Sequence, residues 1–338
     1  MSLFKNLEHN FDYITLILKL NGNMCNMRCA YCNSHEELKD LNNINLNNIF
    51  NYLAGFKDYK NILVLFHGGE PLLSKPEDIE AILDFACKNL INKINVQFQT
   101  NGLLLDDKWL NLFKRFRNII SLSVSFDPPV GDMRRYVTSQ TGNYREIVMN
   151  NIYKFMGIIE NIGVISVCHK YNINGFKNFV CSLKEAGIKN LTINKYRPDI
   201  KNINNFYISE AEYVDMLIDL ASFWIGQKLY KKINIQPLNS LFAGETNKLC
   251  LFKTDKDKCF AFRTYFNAAK HYKFCARMAD AKVYEMSKEC LDCKIFSLCG
   301  GGCPVEKKDG TFCKARFKLF NFINFIRSVG DADKKFES

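Results

Sequence analysis

The sequence contains no apolar run that approaches the roughly 20 residues needed to cross a membrane as a helix. Residues 1–10 are polar and mixed in charge, so they lack the basic and apolar regions of a secretory signal peptide. The net charge is +11, but Lys and Arg are spread evenly and no basic block indicates a nucleic-acid site. We therefore predict a cytoplasmic protein that neither inserts stably into membranes nor binds nucleic acid.

Cysteine, by contrast, is abundant, with 14 residues in a chain of 338. Since the cytoplasm keeps thiols reduced, so many cysteines indicate metal or redox chemistry rather than disulfide bonds. Apolar residues make up 47% of the chain, which is enough for a large core and about two domains. Cys87, Cys168 and Cys181 lie in predicted helices or strands among apolar residues, and we expect them to be buried and inert.

The first two-thirds of the chain alternates between apolar, β-rich runs and runs with helical periodicity. Such strands are typical of a parallel sheet covered on its faces, and six strand–helix pairs are too few for a closed eight-stranded barrel. We therefore predict an α/β fold, a partial (βα)6 barrel, over residues 1–228. The predicted strands are Tyr13–Leu20, Ile62–Phe66, Ile94–Gln99, Ile119–Phe126, Val164–His169 and Asn190–Tyr196. The predicted helices are Leu46–Phe56, Pro76–Leu90, Lys108–Phe116, Tyr144–Met156, Phe176–Ala186 and Ala211–Gln227.

Three helix starts have recognisable capping residues. Ser74 with Pro76 suits the start of the second helix, and Asp106 is placed to cap the third. Ser209 and Glu212 have the spacing of a capping box before the sixth helix. These residues indicate where the second, third and sixth predicted helices begin.

The candidate metal-binding and cofactor-binding residues follow the predicted strands, and the ends of strands are where active sites lie in parallel α/β folds. A triplet of cysteines follows the first strand, and three thiolates on one loop can hold a metal centre with one position open. A structural zinc with His35 as its fourth ligand is the alternative. The turn after the second strand is also compatible with an ordinary helix start. The residues concerned are Cys25, Cys29, Cys32, Gly68, Gly69, Glu70, Pro71, Gln99, Asn101, Ser125 and Asp127.

The triplet, with Tyr31 before its last cysteine, resembles the cluster-binding motif of the radical S-adenosylmethionine (SAM) enzymes. That resemblance implies that Cys25, Cys29 and Cys32 hold a [4Fe–4S] cluster whose fourth iron binds SAM. Residues 68–71 resemble the motif that binds the amino group of SAM, with Glu70 as the carboxylate that fixes it.

Two further stretches resemble SAM-binding segments of the same family. They are 99–102, which contains Gln99 and Asn101, and 125–127, in which Ser125 would contact the ribose or carboxylate of SAM. Pro128 stands where the family usually has glycine. An Asn-Gly pair is also a general turn signal, so the first of these stretches is supporting evidence only.

Composition changes after Lys228, where cysteine becomes dense, so residues 229–338 are predicted to form a second domain. The run from Cys290 to Cys303, followed by Cys313, resembles the SPASM domain of peptide-modifying radical SAM enzymes. That resemblance implies two auxiliary [4Fe–4S] clusters, with two zinc sites as the alternative. Residues 317–327 are aromatic and basic, and they are predicted to form a helix that packs on its own domain. One auxiliary cluster would take Cys250, Cys259, Cys275 and Cys303, and the other Cys290, Cys293, Cys299 and Cys313.

By this resemblance an electron donor such as flavodoxin or ferredoxin reduces the SAM-binding cluster, SAM is cleaved, and a 5′-deoxyadenosyl radical abstracts hydrogen. The double-cluster pattern favours a peptide or protein substrate, modified by crosslinking or side-chain oxidation. Dehydrogenation or epimerisation of a small molecule such as a sugar is the alternative. A non-catalytic electron carrier or zinc-binding module is a third.

Anaerobic sulfatase-maturing enzymes have a similar layout, with an Asp just after the third auxiliary ligand as proton acceptor. Here Ala276 follows Cys275, which argues against that activity. The sequence identifies no catalytic base.

Overall fold

The computed structural model describes the chain in segments that belong to two compact units. The first unit comprises Met1–Phe126, Met133–Val164 and Asp257–Ala281, and the second comprises Asp127–Asp132, Ile165–Lys256 and Lys282–Ser338. The domain boundary expected at Lys228 stays a prediction. The described residues are 13–32, 44–90, 93–132, 143–198, 205–245, 263–267, 270–272, 288–302 and 310–336.

Strands and helices alternate through most of the described chain. The strands are β1 (Ile14–Lys19), β2 (Asn61–Phe66), β3 (Lys93–Thr100), β4 (Ile120–Ser125), β5 (Ile162–Cys168), β6 (Asn190–Lys195), β7 (Asn234–Gln236), β8 (Arg263–Asn267) and β9 (Lys270–Tyr272). The helices are α1 (Leu46–Ala54), α2 (Pro76–Asn89), α3 (Asp107–Arg115), α4 (Tyr144–Met156), α5 (Phe176–Glu185), α6 (Glu210–Gly226), α7 (Leu238–Ala243), α8 (Lys288–Leu291), α9 (Phe296–Cys299) and α10 (Phe312–Phe336). Short 3₁₀ turns occur at Pro71–Leu73, Ile173–Gly175 and Leu229–Lys231.

In the first unit the strand order is β4-β3-β2-β1-β8-β9, and all neighbours are parallel except the β8–β9 hairpin. The register places Leu16, Val64, Val96 and Ile120 side by side across β1 to β4. All four are at most 3% exposed. Burying each such side chain contributes about 1.5–3 kcal/mol, so this row anchors the sheet whose strand ends hold the candidate site.

In the second unit the order is β7-β6-β5, with β6 and β7 parallel. The unit also contains α5 to α10. The prediction of a parallel α/β fold is therefore confirmed, and each of the six predicted strand–helix pairs is present with ends shifted by at most two residues. The sequence pattern missed β7, β8 and β9, which all follow the segment where the alternation was expected to stop.

All three helices start within one residue of the predicted positions, and two of the three expected capping residues are confirmed. Asp106 accepts hydrogen bonds from the N–H groups of Lys108 and Trp109, and Ser209 forms a reciprocal capping box with Glu212. The expectation for Ser74 is wrong, because α2 starts after Lys75, which makes no side-chain capping bond. The Ser74 hydroxyl instead accepts a hydrogen bond from the Asn21 side chain at 2.9 Å.

The cysteines outside the motifs differ in their exposure. Cys168 is fully buried as expected, and burial raises the pKa of its thiol. Cys181 is half-buried, and the expectation for Cys87 is wrong because its side chain is exposed. The buried face of α2 is formed by Ile79, Ile82, Leu83 and Ala86, and Cys87 lies outside that set.

The C-terminal segment forms the helix α10, as expected. Leu319, Phe320 and Ile323 are buried, whereas Phe317 and Phe325 are exposed. The helix lies against α6, so it packs within its own unit. None of the described helices combines the length and apolar character needed to span a membrane.

Candidate active site

The loop that follows β1 carries the cysteine triplet and is partly shielded from solvent. Cys25, Cys29 and Cys32 are half-buried, and the N–H of Cys32 donates to the carbonyl of Cys29 at 3.0 Å. Met27 is buried, and its N–H donates to Cys25 Sγ at 3.3 Å. Burial raises the pKa of the Cys25 thiol, and the bond from Met27 partly opposes that effect.

The donor set of this loop fits an iron–sulfur cluster. Three thiolates can hold three irons of a [4Fe–4S] cluster and leave the fourth for another ligand. Beside Cys25, the buried amide nitrogen Asn26 Nδ2 faces no hydrogen-bond acceptor from the described residues, which fits a bound group with acceptor atoms. Within the described segments, no three His, Cys, Asp or Glu side chains converge on a position for a single metal ion. His35, the alternative zinc ligand, lies outside those segments.

The Gly68-Gly69 turn after β2 places its backbone directly against the cysteine loop. Both glycines have positive φ angles, 87° and 51°, which residues with side chains rarely adopt. A Cβ atom at Gly69 would lie 2.0 Å from the carbonyl oxygen of Met24. The same oxygen accepts a hydrogen bond from the N–H of Glu70 at 2.8 Å. The absence of a side chain at Gly69 therefore allows the turn to dock on the cysteine loop.

Replacing Gly69 by alanine is expected to separate this turn from the cysteine loop. The new Cβ would overlap the Met24 carbonyl, and the left-handed backbone would add about 1–2 kcal/mol of strain. We expect the variant to fold but to retain several-fold less iron after anaerobic reconstitution. Gly157→Ala is the matched control, since Gly157 has a φ of −70° and its added Cβ would make only an ordinary contact. Equal iron contents in the two variants would contradict the expectation.

The carboxylate of Glu70 joins the ends of two strands. Its side chain is completely buried, and Oε1 accepts from the Thr100 hydroxyl at 2.7 Å and from the Leu72 N–H at 3.0 Å. Oε2 accepts from the N–H of Asn101 at 2.7 Å. The sequence identified Glu70 but not these partners. Its contact with the amino group of SAM stays a prediction.

Asn21 fixes the backbone of the same turn. Its side-chain amide is buried and donates to the carbonyl of Glu70 at 3.0 Å and, more weakly, to that of Pro71 at 3.4 Å. The sequence pattern did not single out Asn21. Its position two residues after β1, within the loop that leads to the cysteines, is the signal that could have identified it.

Asn101 lies at the end of β3 and reaches the cysteine loop. Its Nδ2 donates to Asn26 Oδ1 at 2.6 Å and to Cys25 Sγ at 3.8 Å. Gln99 lies in β3 in register with Ser123 of β4, and Ser125 is the last residue of β4. The structure thus brings Asn101 to the cysteine triplet. The assignments of Gln99 and Ser125 to SAM binding stay predictions.

In the second unit, Asp127 ties the segment after β4 to β5. It is 1% exposed, and its Oδ1 accepts from the Ser166 hydroxyl at 2.8 Å and from the Val167 N–H at 2.9 Å. Both partners belong to a strand, so the carboxylate has a structural role in this position. The described residues include Asp127 and Pro128 but not the segment 133–142 that follows.

His169 was not identified from the sequence, although it directly follows β5 as the other chemical residues follow their strands. The side chain is completely buried, and its Nδ1 accepts from the N–H of Tyr171 at 3.2 Å. The amide of Asn172 accepts from the His169 N–H at 2.9 Å and donates to the carbonyl of Val167 at 2.8 Å. Burial lowers the pKa of the imidazole, and the charge of Asp127 opposes this. His169 is therefore held in its neutral form.

We expect this histidine to make stability depend on pH. Because its pKa is lower in the folded state than the unfolded value of about 6.5, the unfolded chain takes up the proton first as pH falls. Its contribution is present above that value and declines below it, by at most about 1.4 kcal/mol per pH unit. Urea unfolding at pH 7.5 and 5.5 measures the decline. The decline should be smaller in His169→Gln, and an equal decline in both proteins would contradict the assignment.

The C-terminal cysteines are described in part. Cys299 is buried, which raises the pKa of its thiol; the charge of Arg316 opposes this, and those of Cys313 and Cys293 reinforce it. The thiols of Cys293 and Cys313 therefore each lie within electrostatic reach of Cys299. Three successive glycines, 300–302, have φ angles of 55°, 74° and 82° and form the turn that leads to Cys303. The other implied auxiliary set, Cys250, Cys259, Cys275 and Cys303, lies outside the described residues.

Comparison with known proteins places these motifs in context. The model of the radical SAM superfamily matches residues 22–183. The chain is similar to a cysteine-type anaerobic sulfatase-maturating enzyme of Clostridium perfringens, with 23% identity over 375 residues, 95% of this chain and 98% of that protein.

Solved structures share the fold. Native anSMEcpe with bound AdoMet (that is, SAM) superimposes with a TM-score of 0.76 and 18% identity, covering 95% of this chain and 99% of that one. Its complex with AdoMet and the Kp18Cys peptide gives 0.74 and 19% identity, with the same coverage. Streptococcus suis SuiB bound to the precursor peptide SuiA gives 0.61 and 12% identity, covering 88% of this chain and 75% of that one.

The family match includes the residues that the structure assembles after β1, β2 and β3. These are the cysteine triplet, the Gly68-Gly69 turn with Glu70, and Asn101. The parallel α/β fold agrees with the same assignment. Residues 22–183 therefore contain a radical SAM domain, and that family implies a [4Fe–4S] cluster and SAM as cofactors.

Proposed function

We propose that this protein reductively cleaves SAM at the cysteine loop and abstracts a hydrogen atom from a peptide or protein substrate. The observation that supports this most directly is the assembly around Cys25. The loop carrying the three thiols contacts the backbone of Gly69, and Asn101 reaches its first sulfur at 3.8 Å. Such an assembly would position an open cluster beside the residues that resemble a SAM-binding motif.

Each part of the site has a proposed role. Cys25, Cys29 and Cys32 would hold the cluster, and when bound, the cluster and SAM supply one-electron cleavage of a carbon–sulfur bond and hydrogen abstraction. The turn 68–71 would position the amino group of SAM, and its close contact with the cysteine loop fixes the distance between the two sites. Gln99 and Ser125 are proposed to contact the rest of the cofactor.

A peptide or protein substrate is the class that the relatives favour. Solved structures that share this fold include an enzyme with the Kp18Cys peptide and SuiB with its precursor peptide. Sulfatase maturation itself is not proposed, because Ala276 follows Cys275 where the sulfatase-maturing enzymes have a proton-accepting Asp. The product would therefore differ from theirs, with crosslinking or another side-chain oxidation as the proposed outcome.

Two auxiliary clusters are part of the proposal. Cys293 and Cys313 each lie within electrostatic reach of Cys299, which supports a shared site with Cys290. The remaining four cysteines would hold the second cluster. These clusters would accept an electron from the substrate radical, and a flavodoxin or ferredoxin would supply the electron that starts the reaction.

The cofactor content is tested by measuring iron, sulfide and zinc per chain after anaerobic reconstitution, with a SAM-cleavage assay on the same sample. About twelve irons per chain, with release of 5′-deoxyadenosine, are expected for three [4Fe–4S] clusters. Iron contents of about four to eight with SAM cleavage would remove one or both auxiliary clusters from the proposal. Stoichiometric zinc without SAM cleavage would overturn it.

The substrate class is tested by deuterium transfer. Peptides encoded by short reading frames beside the gene are prepared fully deuterated and incubated with the reduced enzyme and unlabelled SAM. Deuterium in 5′-deoxyadenosine, together with a changed peptide mass, is the expected result. SAM cleavage without deuterium transfer from these peptides, but with transfer from a deuterated sugar, would favour the small-molecule alternative instead.

A further inference from the structure

Two asparagine side chains lie directly behind the first cysteine of the triplet. Asn26 and Asn101 are 5% and 7% exposed. Asn101 Oδ1 accepts from the N–H of Leu103 at 3.0 Å, which fixes the orientation of its amide. The opposite end, Nδ2, therefore points to the cysteine loop, where one hydrogen serves Asn26 Oδ1 and the other serves Cys25 Sγ.

The sulfur of Cys25 thus receives more than one donor. The N–H of Met27 lies at 3.3 Å and Asn101 Nδ2 at 3.8 Å, both in the range of hydrogen bonds to sulfur. Hydrogen bonds to an ionised acceptor are roughly twice as strong as neutral ones, so both donors would interact more strongly with a sulfur that ligates a cluster than with a thiol. Both donors would therefore stabilise negative charge on this sulfur, against the effect of its burial.

The second amide points to a bound group independently. Asn26 Nδ2 is buried and has no acceptor from the described residues, which costs about 1–3 kcal/mol. Its own Oδ1 is held by Asn101, so the amide cannot reverse without losing that bond. An acceptor on a cluster or its ligand would satisfy Nδ2 and remove the penalty.

We propose that the Asn26–Asn101 amide pair sets the reduction potential of the cluster at Cys25. Reduction adds one electron from the external donor and changes no bond or proton, so the cluster becomes more negative by one charge. Donors aimed at its sulfurs stabilise the reduced form more than the oxidised form and raise the potential. Asn101 and Asn26 are thus positioning residues that make the cluster reducible by a physiological donor. The inference rests on the proposed cluster and SAM chemistry.

The test is a redox titration of the cluster monitored by electron paramagnetic resonance, in the wild-type protein and three variants. Asn101→Ala removes the donor to Cys25, and Asn26→Ala removes the second donor and the group that orients the first. Asn151→Ala is the control, because among the described residues the Asn151 side chain donates to the carbonyl of Gly102 in the same turn, at 2.8 Å, and to no sulfur. It loosens the turn without removing a donor to sulfur.

At the potential that half-reduces the wild-type cluster, we expect the reduced-to-oxidised ratio to fall about tenfold in Asn101→Ala, a shift of about 59 mV for one electron. Asn26→Ala should shift in the same direction, and Asn151→Ala should not shift. Fully loaded clusters with wild-type potentials in the first two variants would overturn the inference. So would loss of iron in both with a normal control, because the amides would then serve assembly alone.

A measurement on the wild-type protein makes the result independent of the variants. With asparagine labelled by ¹⁵N, the reduced cluster should show weak hyperfine coupling to a side-chain nitrogen, and its absence would overturn the inference. If the wild-type chain assembles no SAM-cleaving cluster, the proposed function fails first. If it does, unchanged potentials and missing coupling overturn this inference alone.

Discussion

Replacing Glu70 by alanine is expected to lower the free energy of unfolding by about 4 kcal/mol and to abolish measurable SAM cleavage. The carboxylate is completely buried and accepts hydrogen bonds from Leu72, Thr100 and Asn101 at 2.7–3.0 Å. Alanine would leave all three donors buried without this acceptor, and each such donor costs about 1–3 kcal/mol. Urea unfolding measures the first effect, and chromatography of 5′-deoxyadenosine measures the second.

Two further variants separate the structural role of Glu70 from its proposed contact with SAM. Thr100→Val removes one of the three donors and should cost about 1–2 kcal/mol while leaving SAM cleavage within a few-fold of wild type. Glu70→Gln keeps the volume but removes the charge that would attract the SAM ammonium group. If Glu70→Gln cleaves SAM at the wild-type rate, the carboxylate only supports the fold. If Glu70→Ala is as stable as wild type, the three hydrogen bonds to the Glu70 carboxylate do not contribute to the free energy of unfolding.

The strands and helices of residues 13–228 could be predicted because each leaves a local mark. Apolar runs, helical periodicity and capping residues lie within a few positions of one another, as at Asp106 and Ser209. The prediction of Ser74 as a capping residue was wrong because Pro76 suits the first turn of a helix whatever residue precedes it. The Ser74 hydroxyl accepts a hydrogen bond from the Asn21 side chain instead. The hydrogen bond that the Ser74 hydroxyl accepts therefore comes from a residue 53 positions away.

The later strands left no such mark. β7 has three residues and β8 has five, and each is defined by pairing with a strand far along the chain. Short strands that join an existing sheet need little periodicity of their own, because the neighbouring strand supplies the hydrogen bonds. A pattern within a short stretch of sequence therefore cannot reveal a strand whose partner lies far along the chain.

The candidate site shows the same division. The cysteine triplet and the Gly68-Gly69 turn are local motifs, so their residue types and spacing were sufficient to identify them. The bonds from Asn101 to Asn26 and to Glu70 join positions separated by 75 and 31 residues. The sequence pattern did not single out Asn26. Only the fold shows that the Asn26 amide contacts Asn101. That contact places two amide groups beside Cys25, which the sequence motif alone does not reveal.

Replacing Glu210 by glutamine is expected to destabilise the second unit by about 3–5 kcal/mol. Its carboxylate lies between two cations, with Lys195 Nζ at 3.0 Å from Oε2 and Arg316 Nε at 2.6 Å from Oε1. All three side chains are at most 4% exposed. Glutamine would remove the negative charge that lies between these two buried cations. The midpoint of urea unfolding, followed by circular dichroism, measures the loss.

The same two helices provide a surface pair as the control. Asp215 of α6 and Lys318 of α10 form an ion pair at 2.8 Å, but their side chains are 57% and 60% exposed. Asp215→Asn should therefore cost no more than about 1 kcal/mol, and added salt should reduce even that. Similar losses of unfolding free energy in Glu210→Gln and Asp215→Asn would contradict the expectation. They would mean that solvent screens the buried triad of Lys195, Glu210 and Arg316 as well as it screens the surface pair.

A third variant distinguishes the strength of the triad from the penalty of breaking it. Lys195→Met, Glu210→Leu and Arg316→Met combined would replace the charges by apolar groups of similar length. Desolvation of buried ions offsets much of their attraction, so the triple variant should recover most of the stability lost in Glu210→Gln. If it recovers none, the triad itself stabilises the packing of α10 on α6. If it recovers most, the three charges together contribute little net stability. The large effect of Glu210→Gln would then come from removing the negative charge while the buried cations remain.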